Sequence, residues 1–338
     1  MSKSQRLHDY AVRWDPNDRG GHVESFFLKA NDPGSDRAIW LKFTIYSPLG
    51  GIPTVGEVWA ILFDGDEDHV AAKETYPIAD LAQGPGGVGL ALKDCTLDPG
   101  HTTGLLRTPD GADLRWDLEY DATRSPLYPL PMEWMYTAPF PKFKTLTPTA
   151  DSRFGGFIEV GDRRLEVDGW PGMQGHNWGR AHAERYAWAH CNVFDDPGDS
   201  SHEGAIFEGF SARIKVGPIT TPFLTLVKLV HRGITYDFTD VMCWLRASSK
   251  LEHTAWDFVC VKGRQRLVGS LWTTPDRMVG LTYRNPNGDI THCLNSKIAH
   301  CDLRLMEDGA SRVRLRSTAK AALEVAIKET DHPVKMYV

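Results

Sequence analysis

The sequence predicts an all-β protein built from two antiparallel sheets, each closed into a barrel or strongly curved. Three observations carry this expectation. Short apolar runs rich in aromatic and β-branched residues recur along the chain, turn-forming residues separate them, and helical periodicity is scarce. A chain of 338 residues exceeds the size at which one core usually keeps growing, so two domains are expected, 1–200 and 201–338, with the border somewhere in 195–235. Closing or curling each sheet would remove its exposed edges and leave an interior able to hold a small ligand.

The elements follow in chain order. "AIWLKFTIYS" (38–47) and "GEVWAILFDG" (56–65) read as strands ending in turns. "AQGPGGVGLA" (82–91) and "DDPGDSSHEG" (195–204) read as loops. The proline-laden "RSPLYPLPMEWMYTAPFPKF" (124–143) cannot be a regular central strand and is expected to wrap a barrel mouth as a lid or cover. Further strands are expected at 185–194, 204–214, 223–231, 235–245, 253–261 and 266–274. The Asn287–Gly288 pair suits a tight turn before a long strand or strand pair. "STAKAALEVAI" (317–327) fits a short helix by propensity and a terminal strand by the alternation of Leu323, Val325 and Ile327.

One stretch does not look like ordinary surface: "VDGWPGMQGHNWGRAHAERYAWAH" (167–190) holds three tryptophans and three histidines. His176 and Trp178 lie on one side if their segment is extended, and Gly175 and Gly179 allow unusual dihedrals or a close backbone approach. That places a titratable imidazole beside an indole, an arrangement suited to proton transfer near an apolar or cationic substrate. It equally describes a structural corner in which His176 caps a turn and Trp178 fills the core. In the strand that follows, Glu184, Tyr186, Trp188, His190 and Asn192 share a face opposite Arg185, Ala187, Ala189, Cys191 and Val193. That face is either solvated or the wall of a polar and aromatic cavity, and its three alternating rings favour the cavity.

Carboxylates placed among apolar neighbours are the candidate proton donors. Glu57 shares a face with Trp59, Glu208 with Ile206 and Phe210, Asp240 with Phe238, Met242 and Trp244, and Asp257 with Ala255 and Val259. Burial would disfavour the charged form and keep such a group protonated near neutral pH, whereas an acid that faces solvent or meets an arginine is structural.

Other chemistries lack their signatures. No HExxH, P-loop, dinucleotide-binding glycine fingerprint or GxSxG elbow is present, and "GPGGVG" (84–89) has no helix behind it to aim amides at a phosphate. His176, His182 and His190 do not fall at a metal-ligand spacing, so neither metal nor cofactor is expected. The six cysteines form no CxxC pair and are expected to be buried thiols. A formal charge of −6 gives no reason to expect nucleic acid, and the apolar runs are too short to span a membrane. The opening residues form no signal peptide of the usual kind, which makes a cytoplasmic location the default. Base rates alone admit a homodimer.

With Trp40 and Leu41, "GHNWG" (175–179) and the tryptophan-bearing strand beyond it, the chain resembles the two-domain lipocalin-like superfamily of AttH-like proteins and bacterial carotenoid 1,2-hydratases. Tocopherol cyclases and Diels-Alderases look like more distant relatives. The resemblance implies two calycin-like barrels or curved sheets with a hydrophobic pocket near their junction, faced by His176 and Trp178. It places the associated acid near Glu203 or Glu208. The chemistry it implies is protonation of an alkene followed by water addition or ring closure. The resulting expectation is a cofactor-independent hydratase, isomerase or cyclase acting on an unsaturated hydrophobic metabolite such as a terpenoid. His176 and Glu208 would be catalytic, and Trp178, Tyr186, Trp188, His190, Glu57, Trp59 and Asn177 would bind substrate. The alternatives are a non-catalytic carrier of a lipid or small apolar ligand, and a scaffold whose pocket is filled by the wrap.

Overall fold

A computed structural model of the chain describes residues 9–122, 126–195, 204–216 and 219–338. Glu203, most of the 195–204 loop and the first residues of the proline-rich segment lie outside them. The first sheet has eleven antiparallel strands. They are β1 (His22–Asn31), β2 (Arg37–Ser47), β3 (Val55–Asp64), β4 (Val70–Pro77), β5 (Leu81–Gln83), β6 (Leu90–Leu92), β7 (Cys95–Asp98), β8 (His101–Arg107), β9 (Asp113–Tyr120), β10 (Phe143–Val160) and β11 (Arg163–Gly179). Their spatial order is β4-β3-β2-β1-β11-β10-β9-β8-β7-β6-β5. The sheet curls until β4 nears β8, where the Arg107 N–H donates to the Glu74 carboxylate at 3.0 Å.

The second half begins with β12 (Arg185–Cys191), β13 (Ile206–Arg213), the small pair β14 (Lys215–Val216) and β15 (Ile219–Thr220), β16 (Leu224–His231) and β17 (Ile234–Phe238). It continues with β18 (Ser248–Leu251), β19 (Ala255–Lys262), β20 (Gln265–Trp272), β21 (Val279–Arg284), β22 (Ile290–Glu307) and β23 (Ala310–Ile327). The second sheet runs β17-β16-β13-β12-β23-β22-β20-β19-β18, with β21 also paired to β22. It curls as well, since Lys262 on β19 donates to the Asp237 carbonyl on β17 at 2.9 Å. The chain leaves one sheet at Gly179 and enters the other at Arg185. We propose this passage, rather than a point within 195–235, as the border of the two units.

The expected all-β class and curved paired sheets are therefore present; apart from short 3₁₀ turns, one run expected as strand departs from it. The run 235–245 is not a single strand: after β17 it turns into the helix α1 (Val241–Arg246). The cause is local, because the Asp240 side chain accepts from the Cys243 N–H at 2.9 Å and caps the helix. Asp240 thus has a structural task, and Cys243 sits on a helix rather than a strand. The ambiguous 317–327 run resolves as strand, the C-terminal part of β23. All six cysteines are free and buried.

Each sheet carries its own apolar core, and a third core lies where the two faces meet. That shared core holds Phe27, Trp40 and Trp59 from the first sheet against Tyr186, Trp188, Tyr283 and Ile298 from the second. Strand β12 is consequently buried on both faces, its alanines and Cys191 turned into its own sheet and its aromatics toward the other. Buried polar groups also join the sheets. The Lys29 ammonium donates to Asn192 at 3.2 Å, and Asn31 donates to the Lys297 carbonyl at 2.7 Å. Among the described residues no helix is long and apolar enough to cross a membrane.

Candidate functional site

The His-Asn-Trp motif lies at the end of β11, held between β1 and β10, with His176 opposite Phe26 on one side and Leu146 on the other. Strand alternation puts the His176 and Trp178 rings on one side, 4.7 Å apart, and leaves Asn177 on the opposite side, partly exposed. Gly175 and Gly179 serve close approach. A Cβ on Gly175 would stand 2.2 Å from the Phe27 ring, and one on Gly179 the same distance from the Lys142 carbonyl.

His176 is fully buried and stacks on Phe26 at 4.0 Å. Its Nδ1 meets the Asp9 carbonyl at 2.9 Å and its Nε2 the Glu24 carboxylate at 2.8 Å. The Asp9 carbonyl can only accept, so Nδ1 is a donor. Glu24 also accepts from the Arg13 and Trp14 backbone N–H groups and from His22. Burial alone would raise its pKa, but the hydrogen bonds from His176 and His22 outweigh it and hold the carboxyl at about 2. Asp9 is held in turn by the Tyr128 hydroxyl at 2.6 Å. Tyr136, from the same proline-rich segment, lies over Trp178 at 6.2 Å and meets the Tyr128 ring edge-on. The wrap expected from 124–143 thus does cover the motif, in its described part.

Beyond β10 lies Glu208, on β13 of the second sheet and 4% exposed. The pairing of β10 with β11 shifts register between Leu146 and Thr149 and again before Ser152. In this irregular stretch β10 bonds to the second sheet. Thr147 donates to Glu208 Oε1 at 2.6 Å, His190 Nε2 donates to the Ala150 carbonyl at 2.9 Å, and Asn192 donates to Asp151 at 2.9 Å. Trp188 donates a second bond to Glu208 Oε1 at 3.2 Å, while Glu208 Oε2 has no partner among the described residues. Desolvation is the largest influence on this carboxyl, and it lifts the pKa to about 7 against the opposing bonds from Thr147 and Trp188 and the charge of Lys228. His190 stands directly opposite Glu208 in the β12–β13 pairing. Burial, then the charge of Lys29, push the His190 pKa well below its usual value, so the ring is neutral. With Nε2 donating, Nδ1 is a bare acceptor, and it too lacks a partner. A protonatable oxygen and a weakly basic ring nitrogen thus sit on neighbouring strands, both buried and neither bonded among the described residues. Tyr136 links the two halves of this seam, since its hydroxyl feels the charge of Glu208 while its ring lies over Trp178.

The remaining sequence-derived residues fall elsewhere. Tyr186 packs between His182 and Phe210 in the shared core. Glu57 and Trp59 line a separate narrow cleft of about 10 Å³, where Glu57 pairs with Lys73 at 2.9 Å. Asp257 is exposed and accepts from Ser270. An open groove of about 770 Å³ crosses the outer face of β19, β20 and β22, and neither it nor the cleft includes Glu208 or Trp178. His176, His182 and His190 bond to Glu24, Asn285 and Ala150 respectively, and among the described residues no cluster of His, Cys, Asp and Glu is arranged to hold a metal. Sequence reading missed Glu24, Thr147 and Tyr136. Glu24 had one usable signal, an acid alternating with Phe26 and Leu28 along β1.

Two curved antiparallel sheets packed along a buried seam of histidine, tryptophan and carboxylate define a lipocalin-like β protein. The chain belongs to the tocopherol cyclase-like family, whose model matches residues 133–327. An uncharacterized protein of Mycobacterium tuberculosis is 26% identical over 314 residues, spanning 90% of this chain and 89% of its own. The same fold occurs in three solved structures. An AttH-designated protein from Nitrosomonas europaea matches with TM-score 0.53 at 14% identity, covering 93% of this chain and 96% of its own. CghA matches with TM-score 0.56 at 11% identity, covering 96% and 97%. Kievitone hydratase from Nectria haematococca matches with TM-score 0.54 at 10% identity, covering 92% and 90%.

Proposed function

We propose that the protein is a cofactor-independent acid catalyst, a hydratase, isomerase or cyclase acting on an unsaturated hydrophobic metabolite of terpenoid kind. The observation that carries this reading is Glu208: a carboxyl pushed by burial to a pKa of about 7, anchored through one oxygen and unpartnered at the other. A group poised near the operating pH is an efficient proton donor. Family membership agrees, as does the shared fold with a protein named for hydratase activity.

In this mechanism Glu208 Oε2 gives its proton to an alkene carbon, leaving a carboxylate and a carbocation. The Trp188 and Trp178 rings, which already carry Lys297 and Arg13 at 5.3 Å each, are the electron-rich surfaces such a cation would share. In hydration a water oxygen adds and its released proton passes through His190 Nδ1 back to Glu208. In cyclisation an internal nucleophile closes the ring and returns the proton instead, with orientation supplying much of the rate. His176, with both nitrogens engaged, acts as a positioning residue that holds β1 and Asp9 beneath Trp178. Substrate entry requires the Tyr136 segment to swing away from Trp178.

The same covering segment favours a second reading, a non-catalytic carrier or a scaffold with an occluded pocket, because Tyr136 lies over Trp178 of the motif. Mass spectrometry after incubating the protein with a nonpolar cell extract separates the readings. Catalysis predicts a time-dependent product that gains one water or keeps its mass, and loses rate by about 10²–10⁴-fold in Glu208→Gln. A product formed equally fast by that variant refutes the assignment of Glu208, and a retained ligand without turnover favours the carrier.

A further inference from the structure

The outer face of the second sheet carries a groove that the acid chemistry does not use. It is open, about 770 Å³ in volume, and alternate residues of β19, β20, β22 and β23 form its floor. Strand register fixes which of these side chains are neighbours. Val268 of β20 stands opposite Arg304 of β22, which in turn stands opposite Arg314 of β23. Arg266, two residues along β20 from Val268, stands opposite Met306 and is therefore diagonal to Arg304, at a spacing of about 7–8 Å. Three guanidinium groups are gathered in one part of the groove.

The acids of the groove do not balance them. Like charges directly opposite each other on a sheet are destabilising, and Arg304 faces Arg314 in this way. Asp302 accepts from Arg314 at 2.9 Å and from Arg316 at 3.0 Å, so one carboxylate is shared between two cations. Asp257 accepts from the Ser270 hydroxyl. It lies four residues along β19 from Val261, the cross-strand partner of Arg266, a separation of about 13 Å. Among the described residues neither the Arg266 nor the Arg304 guanidinium has an ion pair or a hydrogen bond.

The uncharged part of the lining is largely apolar. Val268 and Met306 flank the two unpaired arginines. At the other end Trp272 is 43% exposed and stacks on His300 at 5.4 Å. Trp272 is four residues from Val268 on the same strand, which puts the indole about 13 Å from the arginines along the groove. Guanidinium forks match the oxygens of carboxylate and phosphate groups. The groove's volume also falls in the range of about 300–1,000 Å³ usual for small-molecule sites. A bare inorganic anion would meet the arginines and leave Val268, Met306 and Trp272 uncovered, whereas an uncharged chain would leave the arginines unmatched.

We propose that this groove binds a single amphiphilic oxyanion, its carboxylate or phosphate head held by Arg266 and Arg304 and its apolar chain running over Val268 to Trp272. The groove shares no residue with the seam around Glu208, so the failure of either assignment leaves the other standing.

The test titrates the whole chain with sodium decanoate and with decyl phosphate. Binding is followed by calorimetry and by the indole N–H resonance of Trp272, identified through Trp272→Phe. Expected is saturable binding of at least one of the two that moves this resonance. Acetate has the head without the chain, and decyltrimethylammonium has the chain with the opposite charge; each should bind at least about tenfold more weakly. Arg304→Gln and Arg266→Gln, both at exposed positions, should keep the native circular dichroism and each weaken binding roughly tenfold, whereas Arg164→Gln on the first sheet should not. Four results would each overturn the proposal: no saturable binding of either anion, a Trp272 resonance that stays in place while they bind, equal binding of acetate or decyltrimethylammonium, or unchanged binding in both arginine variants.

Discussion

Replacing Glu208 with glutamine tests the central electrostatic claim without any knowledge of the substrate. The folded protein holds this carboxyl at about 7, against a reference value of 4.5. Between those two values the folded state keeps a proton that the unfolded chain releases, so stability falls as pH rises through the window and the full penalty is present above about pH 7. At 1.36 kcal/mol per pH unit the penalty is roughly 3 kcal/mol. Glutamine keeps the acceptor for Thr147 and Trp188 but cannot ionise. Urea unfolding of both proteins between about pH 4.5 and about pH 8 should therefore show a stability difference that shifts by roughly 3 kcal/mol in favour of the variant as pH rises. Comparing slopes removes any constant cost of the new amide, and titrations elsewhere in the chain cancel because they are common to both. Parallel curves across the range would refute the reasoning, since Glu208 would then titrate as an ordinary carboxylate.

Other expectations follow from the same seam. Glu24 has the opposite sign: its pKa of about 2 lies below the reference of 4.5, so its stabilisation is present above about pH 4.5 and disappears as pH falls toward 2. Glu24→Gln breaks a fully buried pair and should cost about 3–5 kcal/mol at neutral pH, read from the urea midpoint. Thr147→Val removes a bond that lowers the Glu208 pKa, so in the valine background the stability difference between wild type and Glu208→Gln should still begin to grow near pH 4.5 but level off at a higher pH and reach a larger final value.

Much of this architecture is readable because its strands are long and alternate clearly. The runs at 38–47 and 56–65 became β2 and β3 almost residue for residue. The 235–245 run misled because its apolar alternation continues past Asp240, whose side chain captures a backbone N–H and starts a helix, a local bond that periodicity does not register. Glu208 could be shortlisted, yet nothing in its neighbours separated it from Glu57 or Asp257. Their fates depend on partners far along the chain: Thr147 for Glu208, Lys73 for Glu57 and solvent for Asp257. The even-numbered face of β12 posed a similar problem. It proved neither solvated nor simply hollow, because its aromatics meet a second sheet that no local pattern announces.

The irregular stretch of β10 has a consequence for how the two halves of the chain depend on each other. Its three bonds to β12, to Asn192 just past it and to β13 hold the first sheet over the acid that the second sheet carries. Undocked, the second sheet would present Glu208 to solvent, and its carboxyl would relax toward the strength of a free side chain. Its proton affinity is thus a gauge of docking, and any movement that opens the junction lowers the share of the acid that keeps its proton at neutral pH.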